Sequence, residues 1–278
     1  GGALVGHLCL DQRPDVPVAL RRRRLHQLDS GVVRPLGVEQ SNSSSIIDDV
    51  AVLKVLRRVE PGLHPEVEVL QHLERVGFAH APALLGTLEY RPHTGPPVTV
   101  ATLIDFVPSD GDTWGSMRNE AARLTEWATA KRPDGIPLPD PRSPMAVPAT
   151  DGLPEPLVEA LDRVELLGRR TADLHAAMAA GDDPRFRPEP FSRLYQRSLY
   201  QSVRSEARQV FAQLRRRSGT THDVGAAELV DAERSVLGTF ARLTDHLLDC
   251  DRIRIHGDLH LAQVLGRGGE VTFIDFEG

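Results

Sequence analysis

Apolar residues recur with two different periods along this chain, and the change of period divides it. From Val33 to Phe106 they come in short runs separated by polar or turn-forming residues. Val33 to Val38 and Ser44 to Ile47 read as two strands flanking the polar loop Glu39-Gln40-Ser41-Asn42-Ser43, and Val50 to Leu56 as a third, nearly all apolar, with Lys54 inside it. After Pro61-Gly62 the spacing lengthens. Val69, Leu70 and Leu73 fit a helix entered at Pro65, where a missing N–H costs nothing, and stopped at Gly77. Leu84 to Tyr90 and Val98 to Ile104 then read as two more strands. Upstream, Leu4 to Leu10 predicts a short strand, and the arginines from Arg21 to Arg24 a solvated face.

Eight prolines between Ala128 and Pro156 forbid long regular elements and predict a linker. Beyond them the period is helical. Leu157, Leu161, Val164, Leu167, Thr171, Leu174 and Met178 share one face, and Leu194 to Leu214 and Val230 to Leu248 predict further amphipathic helices. Arg252 to Ile255 and Val271 to Ile274 read as closing strands. The pattern predicts an α+β chain: an unassigned segment 1–31, a sheet-rich part 32–127, a linker 128–156 and a mostly helical part 157–278.

With 278 residues the chain can bury a sizeable core, and a net charge of −6 argues against a general nucleic-acid binder, which needs excess Lys and Arg. No apolar run approaches membrane-spanning length. Cys9 and Cys250 cannot form a disulfide framework and read as free thiols, Cys250 as a buried one. No basic-then-apolar leader opens the sequence, so a cytoplasmic location is expected, and Gly rather than Met at position 1 suggests a fragment.

The candidate chemistry lies in His256-Gly257-Asp258-Leu259-His260-Leu261-Ala262-Gln263 and Phe273-Ile274-Asp275-Phe276-Glu277-Gly278. A strand delivers Asp258 onto a loop, the amide of Gln263 can turn back toward it, and a later strand ends at Asp275. Paired as a hairpin, the two strands would gather these three side chains. One carboxylate can then accept the proton of an attacking hydroxyl, while the amide and the second carboxylate hold a Mg²⁺ ion that bridges nucleotide phosphates.

The spacing of Asp258 to Gln263 resembles the Asp and Asn of the protein-kinase catalytic loop, and Asp275-Phe276-Glu277 stands where D-F-G would stand. The wording of both stretches resembles the actinobacterial maltokinases, including those joined to trehalose synthase, and the similar glucosamine kinases. Arg34 to Ser43, Leu53-Lys54-Val55, Pro65-Glu66-Val67-Glu68, Phe106-Val107-Pro108 and Gly111-Asp112-Thr113-Trp114 extend the likeness over residues 32–278. It implies a bilobal protein-kinase-like (aminoglycoside phosphotransferase-like) fold with a sheet-rich, nucleotide-binding amino lobe and a helical carboxy lobe, incomplete here. It implies ATP and Mg²⁺ as cofactors, a sugar substrate, and transfer to maltose giving maltose 1-phosphate for α-glucan synthesis, with glucosamine kinase as the alternative. A trehalose synthase partner or fusion is implied as well, and neither nucleic acid nor membrane.

Residue by residue, the resemblance makes Lys54 the lysine that neutralises phosphates and a helix glutamate its partner. Glu68 is chosen over Glu66, although helical phase near the helix start does not decide between them. Gln40, Ser41, Asn42 and Ser43 would cover the phosphates, and Asp105, Phe106 and Val107 would meet adenine. Asp258 becomes the catalytic base, Gln263 and Asp275 the metal ligands, and His256 and His260 structural members of the catalytic loop. Two other classes stay open: a metallophosphoesterase, because Gly257-Asp258-Leu259-His260 spells G-D-x-H, and an inactive kinase-like ATP-binding module. His64 and Ala262 depart from the family wording, which usually has Asn and Gly there. The sequence also stops where the family continues with further helices.

Overall fold

The computed structural model describes residues 9–10, 32–36, 42–131, 155–218 and 229–278. Residues 1–8 and 11–31, Gly37 to Ser41 and most of the proline-rich segment lie outside them, and with them the expectations for Gln40, Ser41 and the arginine run. The described residues form two compact units, one running to Phe186 and resuming at Arg254–Gly278, the other Arg187–Ile253.

The first unit is built on a six-stranded antiparallel sheet. Its strands are β1 (Cys9–Leu10), β2 (Val33–Leu36), β3 (Asn42–Ile47), β4 (Ala51–Leu56), β5 (Leu84–Tyr90) and β6 (Val98–Asp105), in spatial order β1-β5-β6-β4-β3-β2. β3 and β4 are joined by the three residues Asp48, Asp49 and Val50, with Val50 N–H donating to the Ile47 carbonyl at 3.0 Å; Asp48 and Asp49 are both at positive φ, a conformation that Asp tolerates better than most residues. Helix α1 (Pro65–Arg75) starts on a cap in which the His64 side chain accepts the Glu66 N–H. It ends in a Schellman turn at Gly77, where Phe78 N–H donates to the Leu73 carbonyl at 2.9 Å.

Two elements depart from expectation. Thr113–Lys131 is a nineteen-residue helix, α2, where the sequence pattern predicts only the entry to a linker. Apart from Thr113 and Glu120 its residues are not buried, and Trp114 is exposed, so its apolar period is weak. Helix α3 (Glu155–Met178) then supplies Leu174 and Met178 to the core, alongside Val67, Leu70 and Leu73 of α1. The second departure is the closing hairpin. Arg252–Ile255 does not pair with Val271–Ile274. Instead β9 (Val264–Arg267) pairs with β10 (Glu270–Phe273) through Gly268-Gly269, both at positive φ. Glycines serve this turn because it needs φ above zero at both central residues.

In the second unit, β7 (Glu189–Pro190) pairs with β8 (Asp251–Arg252), and α4 (Arg193–Ser218) accompanies α5 (Glu233–Ala241). The helix expected to run to Leu248 ends at Ala241 and tightens to a 3-10 turn over Arg242–Thr244, and the Gln196 amide donates to the carbonyls of Leu243 and His246 that follow. Cys250, expected buried, is exposed. No described helix is long and apolar enough to cross a membrane.

Candidate active site

β4 alternates buried and partly exposed positions, and Lys54 falls on a buried one, 4% exposed. An ammonium there needs compensation. It has two carboxylates: Glu66 on α1, 2.6 Å from Nζ, and Asp275, also in direct contact with Nζ. Thr102, opposite Lys54 on β6, donates its hydroxyl to the other oxygen of Glu66 at 3.1 Å. Burial pushes the lysine pKa down, but the fields of Glu66 and Asp275 outweigh it and hold the ammonium above its ordinary value. The partner of Lys54 is thus Glu66, not Glu68. The reason is helical phase: Glu66 shares the buried stripe with Leu70 and Leu73, whereas Glu68 points to Arg185 and Arg254.

Although the expected hairpin does not form, its three polar side chains still meet. Gln263 precedes β9 and Asp275 follows β10, so both sit at the same end of that hairpin, where Ile274 N–H donates to the Gln263 carbonyl at 3.0 Å. The Asp258 loop is fastened to the same end by His256, which is 1% exposed. Its Nε2 lies 2.8 Å from the Ile274 carbonyl, and its own carbonyl accepts the N–H groups of Glu277 and Gly278. His260 Nδ1 accepts the Ala262 N–H and caps the turn Leu261–Gln263, while its Nε2 lies 3.6 Å from Asp258. Asp275 itself sits at φ 61°, in the left-handed region, two residues past the end of β10.

These residues line a cleft of about 790 Å³, within the range of small-molecule sites. Asn42, Lys54, Glu66, Asp258, His260, Gln263 and Asp275 border it, joined by Arg58, Glu60, His64 and Glu277, to which the sequence alone assigns no role at the site. Arg58 and Glu60 follow β4 as surface-looking charges, so only their closeness to Lys54 in sequence hinted at this place. Ser43 instead accepts a hydrogen bond from Arg57, and Asp105, Phe106 and Val107 are not among the lining residues. Asp105 and Phe106 commit their N–H groups to the carbonyls of Ala83 and Val50. The motif Gly111-Asp112-Thr113 ties α2 to β9. Thr113 donates its hydroxyl to the Val264 carbonyl at 2.8 Å, and Gly266 N–H donates to the Gly111 carbonyl.

Among the oxygen donors that border the cleft, the Asp275 carboxylate and the Gln263 amide belong to residues at the same end of the β9–β10 hairpin. No group of three or more His, Cys, Asp or Glu side chains placed to hold a metal occurs among the described residues. One carboxylate and one amide fit Mg²⁺, which is commonly held by one or two carboxylates with the rest supplied by phosphates and water.

Gly257 explains the tightness of the loop. Its φ is +93°, and a Cβ there would overlap the backbone nitrogen of Gly278. Gly257→Ala should therefore destabilise the protein by about 1–3 kcal/mol and displace Asp258. A melting temperature and turnover equal to wild type would contradict this packing.

Two buried histidines, His72 and His256, and the half-buried His64 add a pH response. Burial, chiefly, lowers the pKa of His64, His72 and His256 below the ordinary 6.5. The unfolded chain therefore binds protons that the folded chain refuses. The stability they contribute is complete above about pH 6.5 and is lost as pH falls from there toward their folded values. The melting temperature should drop between pH 7.5 and 5.5, and a flat profile over that window would refute it.

An antiparallel sheet whose buried lysine is pinned by a helix carboxylate and by an aspartate beyond a later hairpin is the arrangement of a kinase-like fold. The chain belongs to the phosphotransferase enzyme family, whose sequence pattern matches residues 32–278. It is 27% identical over 245 residues to a glucosamine kinase of Mycolicibacterium smegmatis and 26% identical over 249 residues to a glucosamine kinase of Streptacidiphilus jiangxiensis, in each case over 88% of this chain. It spans 51% and 48% of those two relatives, about half their length. Among solved structures, a glucosamine kinase in complex with glucosamine, ADP and inorganic phosphate superposes with a TM-score of 0.65 at 22% identity, covering 92% of this chain and 57% of that one. Crystal form A of a glucosamine kinase gives 0.62 at 21%, covering 98% and 59%. These likenesses establish the bilobal kinase-like fold with its antiparallel amino-lobe sheet. The two curated relatives also overturn the expectation of a maltose acceptor, since both are glucosamine kinases. The metallophosphoesterase alternative falls with the fold.

Proposed function

We propose that this chain carries the phosphoryl-transfer core of an ATP-dependent amino-sugar kinase that converts glucosamine to glucosamine 6-phosphate. The observation that carries the reading is the pinned lysine: Lys54, Glu66 and Asp275 form one buried ion cluster on the same cleft as Asp258 and Gln263. Its support for the acceptor is the likeness to two glucosamine kinases over most of the chain.

In this reading Lys54 neutralises charge on the nucleotide phosphates, and Glu66 keeps the ammonium aimed into the cleft. Asp258 stands half-exposed on its loop, where it orients the sugar hydroxyl and takes up its proton. Gln263 and Asp275 would hold Mg²⁺, which when bound supplies charge stabilisation to the transferring group. Asn42 presents its amide at the cleft as a further phosphate donor.

The test is a phosphoryl-transfer assay of the protein carrying this chain, with ATP and Mg²⁺, against glucosamine, glucose and N-acetylglucosamine in parallel. Transfer to the 6-hydroxyl of glucosamine well above the other two is expected. Transfer that ignores the amine would overturn the acceptor assignment. Tight ATP binding without transfer to any sugar would instead favour an inactive binding module.

A further inference from the structure

Helix α1 carries a second glutamate that the site above leaves unused. Glu66 and Glu68, two residues apart, point about 200° from one another around the helix axis. Glu66 faces Lys54, and Glu68 faces the opposite way. Its carboxylate, 15% exposed, meets Arg185 Nη1 at 3.0 Å and also contacts Arg254 Nη1.

Arg254 reaches further. Its Nε donates to the backbone oxygen of Gly278 at 3.0 Å, and its guanidinium lies 4.8 Å from the ring centre of Phe186. Phe186 in turn stacks on His72 of α1, with ring centres 3.7 Å apart. One planar side chain therefore touches the helix that bears Glu66 and the backbone that follows Asp275. Its own main chain leads within two residues to His256 and the Asp258 loop. Neither Glu68 nor Arg254 lines the cleft. A lysine at this position could not serve both partners, because it offers one point charge rather than a fork of donors.

We infer that the Glu68–Arg254 pair is a positioning device for phosphoryl transfer. It locks α1, and through Glu66 the ammonium of Lys54, to the segment that presents Asp258 and Asp275. This rests on the phosphotransferase reading of the cleft, but the coupling it asserts can be measured without any substrate.

The experiment compares wild type, Glu68→Gln and Arg254→Lys by amide hydrogen exchange and by steady-state kinetics. Glu68 has no hydrogen bond or ion pair to residues 274–278 and reaches them through Arg254. Glu68→Gln is therefore expected to raise exchange there by about tenfold, with the amides of α3 unchanged. Arg254→Lys should do the same, since it preserves a charge opposite Glu68 but loses the reach to Gly278. In the assay, both variants should lower kcat about tenfold with KM for ATP within about twofold. Faster exchange confined to α1, or spread evenly over sheet and helices, would overturn the inference and leave an ordinary structural ion pair. A wild-type protein that transfers no phosphate would sink the functional reading, while the exchange measurement would still decide whether the clamp exists.

Discussion

Asn in place of Asp258 should lower phosphoryl-transfer turnover by about 10²–10⁴-fold while nucleotide affinity stays within a small factor of wild type. Asn is nearly isosteric with Asp and can still accept a hydrogen bond through its amide oxygen, so it can still orient a hydroxyl. It cannot take the proton. The change should also leave the fold intact, because the Asp258 side chain is 54% exposed and faces His260 across 3.6 Å rather than a buried cation. The backbone that positions it is fixed independently, by Gly257 against Gly278 and by the His256 carbonyl. Rapid-quench kinetics beside calorimetric titration with ADP separates the two effects. Turnover equal to wild type would remove Asp258 from the role of base.

The second large effect belongs to Lys54→Met. Methionine matches the lysine stem in length and apolar character but brings no charge. Glu66, whose side chain is 4% exposed, would then be a buried carboxylate with only the Thr102 hydroxyl to satisfy it. Breaking a buried pair by removing one partner costs about 3–5 kcal/mol, mainly because an uncompensated charge stays behind. In a protein of this size that corresponds to a fall in melting temperature on the order of 10 °C. Adding Glu66→Gln to Lys54→Met should recover part of the stability without recovering turnover. A Lys54→Met protein as stable as wild type at pH 8 would mean that the cluster is not the buried ion network described.

Most of the sheet was legible because strand periodicity is local. β4, β5 and β6 occur within a residue or so of the apolar runs that predict them, and α1 announces both ends through His64-Pro65 and Gly77. What misled was signal that depends on neighbours. α2 exposes most of its length and so lacks an apolar stripe. β9 is only four residues long and carries a glycine, although Gly268-Gly269 between two short apolar runs was a readable hairpin mark. Glu66 could have been preferred to Glu68 by extending the Leu70 and Leu73 stripe one turn backward, since a buried charge on an apolar face implies a partner.

Order and residue type along the chain were enough to give a sheet-rich first part and a helical remainder, and the resemblance of the motifs gave the kinase-like fold. They bear on which glutamate meets the lysine only through the stripe of Leu70 and Leu73, and the burial of that face is a tertiary fact. Packing made that choice, by burying the face of α1 that includes Glu66. The closing pair is a local one, β9 with β10 across Gly268-Gly269, which the four-residue length of each strand hid in the sequence. Packing alone brings Asp275 to Lys54, 221 residues earlier in the chain, because nothing local links the two.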